Sequence, residues 1–428
     1  MLDSTPVRGN TALSRSEREA ARDLPPPPGH PRFPLLDPLR ALAAISVLLV
    51  HAAILSGGFD YRFKELFGHL DIGVPFFFLL SGFLLYRPML ASRIIGLPGQ
   101  RVRDYARNRF FRIFPLYWVV LTLTAIAPGM YGAFTGNWWV YYGLLQNFPI
   151  YTPEGNCVDG IFRCTIPPSW TLAMEVFFYL VLPFFAIGMA WLRTRFGRGG
   201  NGFFARWVVV ELVVLLALSG VSFWIQSSPP VTDLHTWLFF SPLGRAWWFG
   251  LGMFLAVVSV RGQEMDRLPS LARFARDHAG WFWLTAAGLY LVGTYVLFDP
   301  GPALAAPAGD SREYLWQYGY FGLISLLVLA PAVFARFDRG MASRFLAHPL
   351  LVRLGLISYG IFLWHYPVMV LMIDLGIFDL APGAKFIFLA TSTLIVSVLL
   401  SAVTFRLVEK PLMEWSRSRS KRKAAIPG

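Results

Sequence analysis

Arg40 and His51 lie eleven positions apart within LDPLRALAAISVLLVH, Leu36 to His51. On a helix that spacing puts them on one face, about 16 Å apart along the axis. An imidazole takes a proton from a hydroxyl near neutral pH, as a general base must, and the plainer reading of His51 is a structural histidine bonded to a neighbouring helix. Arg109 and Arg112, in RNRFFRIFPLYW, are three apart with Arg107 beside them. Two guanidinium forks on one face grip phosphate oxygens bidentately, as a nucleotide-bearing carrier requires; they also read as ordinary basic flanking of a membrane span. Glu175, in PPSWTLAMEVFFYL, can orient a histidine, hold a substrate hydroxyl, or pair with an arginine such as Arg245. Asp37, one turn before Arg40, can pair with it. His365, in ISYGIFLWHYP, reads as structural, and the seven histidines match no metal-binding spacing.

The elements that must position these groups are membrane helices. Apolar residues make up 55% of the 428, charged residues only 15%, and the mean hydropathy is +0.52. An ordinary soluble domain of this length does not reach such values. Apolar runs of roughly 20 residues, enough to cross a bilayer, centre near Ser46, Phe78, Val119, Phe178, Leu215, Phe254, Tyr290, Leu326, Ile361 and Val396. The predicted fold is therefore all-α, a polytopic bundle of about ten transmembrane helices. Alternate loops divide the 38 Lys and Arg as thirty-one on one side against six on the other, with Arg40 inside a span. The positive-inside rule puts both termini in the cytoplasm, in keeping with an even number of spans. The net charge of +13 follows from this bias and from anionic inner-leaflet lipid, which leaves a nucleic-acid partner without support.

Three regions follow: residues 1–34, polar with a PPPP run, as a disordered cytoplasmic tail; 35–415 as the membrane domain; and 416–428 as a basic tail at the inner surface. Cys157 and Cys164 fall in the longest outer loop, where an oxidising compartment permits a disulfide and two free thiols are the alternative. The same loop carries WWVYYGLLQNF, an aromatic interfacial or re-entrant segment that could also line a sugar site.

The motifs LDPLRALAAISVLLVH, GVPFFFLLSGFLL, RFFRIFPLYW, SWTLAMEVFFYL, SYGIFLWHYPV and VEKP, in that order from about Pro34 to Trp415, resemble the acyltransferase-3 family of membrane-bound O-acyltransferases. The resemblance implies passage of a short acyl group, acetyl or succinyl, from cytoplasmic acyl-CoA to a hydroxyl of an extracytoplasmic envelope glycan or glycolipid. It implies a bacterial plasma-membrane location and no permanently bound cofactor. Carried over by motif, His51 is the catalytic base, with Glu175 as its helper, while Arg40, Arg109 and Arg112 hold the coenzyme A phosphates. Many members have an aspartate after Gly-Val at the start of the second span, where this chain has Pro75; Asp71, one turn earlier, is the candidate substitute. Asp37, Asp71 and Trp170 are the candidate substrate-binding residues. Some relatives continue into an extracytoplasmic hydrolase-like domain, and none follows here, so transfer is expected to be completed by the membrane part or by a partner. Direct attack by the acceptor is favoured over a covalent acyl-enzyme, because the SG pair at Ser81 reads as helix packing. Two rivals stand beside this reading: an acyltransferase acting on a secreted small molecule such as a macrolide, and a secondary transporter of an anionic or sugar-like substrate. The transporter lacks the internal repeat such proteins usually show.

Overall fold

A computed structural model describes residues 31–56, 64–97, 99–127, 138–147, 166–196, 203–227, 233–265, 268–298, 311–334, 341–380 and 384–424. Cys157, Cys164 and the proline run lie outside them. Ten long helices carry the fold: α1 (Leu36–Leu55), α2 (Gly73–Ile94), α3 (Val102–Ile126), α4 (Trp170–Phe196), α5 (Phe203–Gln226), α6 (Ala246–Glu264), α7 (Ala279–Val292), α8 (Ser311–Phe334), α9 (Ser358–Asp374) and α10 (Lys385–Thr404). Each predicted centre falls inside one of them, and the described residues form a polytopic helical bundle. Eight helical stretches are long and apolar enough to cross a membrane, and a bent pair makes up to nine. The remaining helix, α6, is buried, but its last turn ends in Arg261, Gln263 and Glu264, which lowers its hydropathy.

The core sits on α2, whose most extensive partner is α6. Small residues make that approach possible. A Cβ on Gly82 would run into the carbonyl of Phe249, and one on Gly252 into the carbonyl of Leu79, so the two backbones touch with no side chain between them. Large apolar side chains on the peripheral helices point the other way, such as Phe184 and Trp191 on α4, Leu216 and Trp224 on α5, and Ile395 and Leu399 on α10. An outside this apolar suits hydrocarbon, and with every described element helical, the backbone bonds within its own segments.

α1 is held by α9, α10 and the short helix Pro349–Leu356. That short helix and α9 form the bent pair, with 73° between them at Ile357. Gly355 brings its backbone against that of Asp37 at the foot of α1. The bend then sends α9 up along α1. Beyond α10 the chain makes a π-turn, Phe405–Glu409, and continues as the helix Lys410–Ala424, so the first part of the basic tail is helical.

Candidate active site

The bundle gathers the ionisable residues into two clusters joined by α9. In the first, His51 and His365 face one another across α1 and α9. Nδ1 of His51 lies 2.8 Å from the carbonyl of Val47 and 3.3 Å from Nε2 of His365. Nδ1 of His365 lies 2.6 Å from the carbonyl of Phe362. The two rings are 5.1 Å apart, and Tyr366 stands edge-on to His51 at 5.5 Å. His365 is fully buried, whereas His51 keeps partial exposure.

The second cluster forms where α3 meets α4, α9 and the π-turn. Glu175 accepts hydrogen bonds from Ser81 on α2 and, at 2.6 Å, from Tyr179 one turn along α4. Arg109 lies over the rings of Tyr105 and Tyr179, at 5.9 and 5.6 Å. Arg112 pairs with Glu409 at 3.3 Å and lies over Tyr359 at 5.7 Å. Tyr359 in turn donates to the carbonyl of Ile113 at 2.8 Å, which ties α9 to α3. Tyr359 and His365 are six residues apart on α9, about 9 Å along its axis, so one helix carries a contact of the arginine cluster and a contact of the histidine pair.

Arg40 donates to Asp37 at 2.6 Å. Asp71 is buried in the turn Leu70–Ile72 just before α2. Trp170 opens α4, with its ring 5.8 Å from the Arg245 guanidinium, which is also enclosed by Phe239, Trp248 and Tyr318. Arg245 donates to Gln226 at 2.8 Å. The structure thus brings Glu175 to Ser81 and Tyr179, His51 to Val47 and His365, and Arg245 to Gln226, rather than pairing Glu175 with His51 or Arg245. The aromatic loop segment is tied down at both ends. Tyr117 and Trp118 donate to the carbonyls of Tyr141 and Tyr142, each at 2.8 Å, and Asn147 donates to the carbonyl of Trp170 at 2.7 Å. Trp138 and Trp139 stay exposed, as an interfacial segment requires.

Glu409, Tyr179 and Tyr359 are neighbours to which the sequence alone assigns no role, and His365, which it reads as structural, faces His51. The motifs SYGIFLWHYPV and VEKP contain three of them, but the partners of His365 and Glu409 lie 314 and 297 residues away, and no local spacing exposes such a pairing. In the sequence the SG pair at Ser81 reads as packing. Its neighbour Gly82 does pack, while Ser81 itself bonds to the Glu175 carboxylate.

The family model for an acyltransferase domain matches residues 34–402. An O-acetyltransferase OatA from Staphylococcus aureus is 25% identical over 406 residues, covering 89% of this chain and 57% of the relative. The peptidoglycan O-acetyltransferase OatA of Listeria monocytogenes is 22% identical over 400 residues, covering 89% and 55%. The putative peptidoglycan O-acetyltransferase YrhL of Bacillus subtilis is 26% identical over 412 residues, covering 90% and 55%. The chain spans a little over half the length of these relatives. No solved structure matches. With the family model running through nine of the ten long helices and most of the tenth, the chain belongs to the acyltransferase-3 family.

Proposed function

We propose that this protein is an O-acyltransferase of a bacterial plasma membrane, moving a short acyl group from cytoplasmic acyl-CoA to a hydroxyl of an extracytoplasmic envelope glycan. The match to the acyltransferase domain carries this reading, and the relatives named for peptidoglycan O-acetylation favour acetyl as the group and an envelope glycan as the acceptor.

The donor phosphates bind at the inner, basic side. Of the three candidate arginines, Arg40 already pairs with Asp37 and Arg112 with Glu409, whereas Arg109 lies over aromatic rings and forms no ion pair among the described residues. Arg109 is therefore the guanidinium with most capacity left for a phosphate. The thioester reaches outward along α1 and α9 towards His51. Nε2 of His51 takes the proton of the acceptor hydroxyl as its oxygen attacks the thioester carbonyl. The new C–O bond forms, the C–S bond breaks, and the proton returns to the departing thiolate. Glu175 holds Tyr179 against Arg109 and so shapes the donor cluster.

The test is mass spectrometry of envelope glycans from cells lacking the gene and complemented with wild type or His51→Ala. An ester lost in the null strain and restored by wild type alone is the expected result, and its mass names the acyl group. Full restoration by His51→Ala removes the base from this scheme, and an unchanged ester profile in the null strain removes the glycan acceptor.

A further inference from the structure

The geometry points to His365 as a positioning residue that fixes the tautomer of His51, the part a carboxylate plays in many histidine-based sites. This inference rests on His51 being the base.

A carbonyl oxygen only accepts, so the 2.6 Å contact between Nδ1 of His365 and the carbonyl of Phe362 requires an N–H at that nitrogen. A neutral imidazole carries one N–H, which leaves Nε2 of His365 as a lone pair. That lone pair faces Nδ1 of His51 at 3.3 Å, and the carbonyl of Val47 faces the same nitrogen at 2.8 Å. Two acceptors converge on one atom. Nδ1 of His51 must therefore carry the hydrogen, which leaves Nε2 as the lone pair available to a hydroxyl. The other tautomer of His51 would set three lone pairs against one another in a site with little water to separate them.

His365 differs from Val47 in what it adds. The Val47 carbonyl comes from the helix of His51 itself and follows it in any rotation of α1. His365 comes from α9, whose path is set by the bend at Ile357 and by Tyr359 bonding to α3. It therefore fixes the imidazole relative to the rest of the bundle. When His51 takes up a proton it becomes a cation, and the lone pair of His365 still faces its Nδ1–H. An orienting partner of this kind is typically worth about 10- to 100-fold in activity at histidine metal sites, and a neutral ring belongs at the lower end of that range.

The test uses the full chain in lipid nanodiscs with 15N-labelled histidine. In wild type the His51 signals, assigned by their loss in His51→Ala, should report a single form with hydrogen on Nδ1. His365→Phe keeps a ring of similar size and removes the acceptor, and is expected to give mixed tautomers with about tenfold slower transfer. His365→Gln places an amide oxygen near the same position and is expected to recover the tautomer and most of the rate. A single Nδ1–H form together with an unchanged rate in His365→Phe overturns the proposal. If His365→Phe does not assemble, His365→Gln decides: a retained tautomer with retained rate supports the proposal, and a retained tautomer with lost rate overturns it. The nitrogen spectra are read without substrate. An active His51→Ala enzyme would therefore refute the base assignment separately from this one.

Discussion

At the scale of single residues, the two arginines of the R-x-x-R motif are not equivalent. Arg112 is neutralised by Glu409, a carboxylate that is almost fully buried, while Arg109 lies over two aromatic rings and forms no ion pair among the described residues. Replacing Arg112 by alanine leaves Glu409 buried without its cation, and breaking a buried pair in this way costs about 3 kcal/mol or more. Arg112→Ala should therefore lower the melting temperature of the detergent-solubilised protein, and Arg112→Met with Glu409→Leu should recover most of the loss. Arg109→Ala removes a cation that forms no ion pair among the described residues. It should leave melting nearly unchanged and raise the donor KM about tenfold, the effect of losing a charge-assisted bond worth ~1.5 kcal/mol. A shared phenotype for the two single variants would mean that both arginines act on the donor, or that neither does.

At the scale of helices, the packing of α2 on α6 depends on glycines. Gly82 and Gly252 let α2 and α6 touch backbone to backbone, and a methyl group at either position meets a carbonyl that cannot move without shifting its helix. Gly252→Ala is expected to destabilise by roughly 1 to 3 kcal/mol, the usual penalty for overpacking. Gly188→Ala on α4, where nothing lies within 4 Å of an added Cβ, is expected to be neutral or slightly stabilising. Thermal melts of both variants in one detergent provide the comparison, and equal changes in the two would show that the α2–α6 contact does not set the response. The SG pair in LLSGF announced this packing in the sequence. The bend between Pro349–Leu356 and α9 was not legible there, because the apolar run continues through Ile357 and the 73° turn depends on Gly355 seating against Asp37. The ten helix centres were legible for a simple reason: runs of some 20 apolar residues are set by bilayer thickness and need no tertiary information.

At the scale of the whole molecule, the same distinction separates the parts of the site. Arg40, His51, Arg109 and Arg112 stood out because a charge or an imidazole inside an apolar run is costly wherever it occurs. The partner of Arg40, Asp37, is local and legible; those of Arg112 and His51 are not, since Glu409 and His365 reach them only after the last two long helices have folded back over the first three. What the bundle adds is direction. The arginines of α3 lie towards its N-terminal end, while His51 lies one turn from the C-terminal end of α1, so transfer from inside to outside requires both helices to begin in the cytoplasm. The thirty-one to six division of basic residues predicts that orientation. In a variant without Cys157 and Cys164, a cysteine replacing exposed Trp138 should react with a membrane-impermeant thiol reagent on spheroplasts. One replacing exposed Ser418 should react only after the membrane is opened. The reverse pattern would put His51 on the cytoplasmic side of the arginines, and an acyl group delivered from cytoplasmic acyl-CoA could then not reach an acceptor outside by this path.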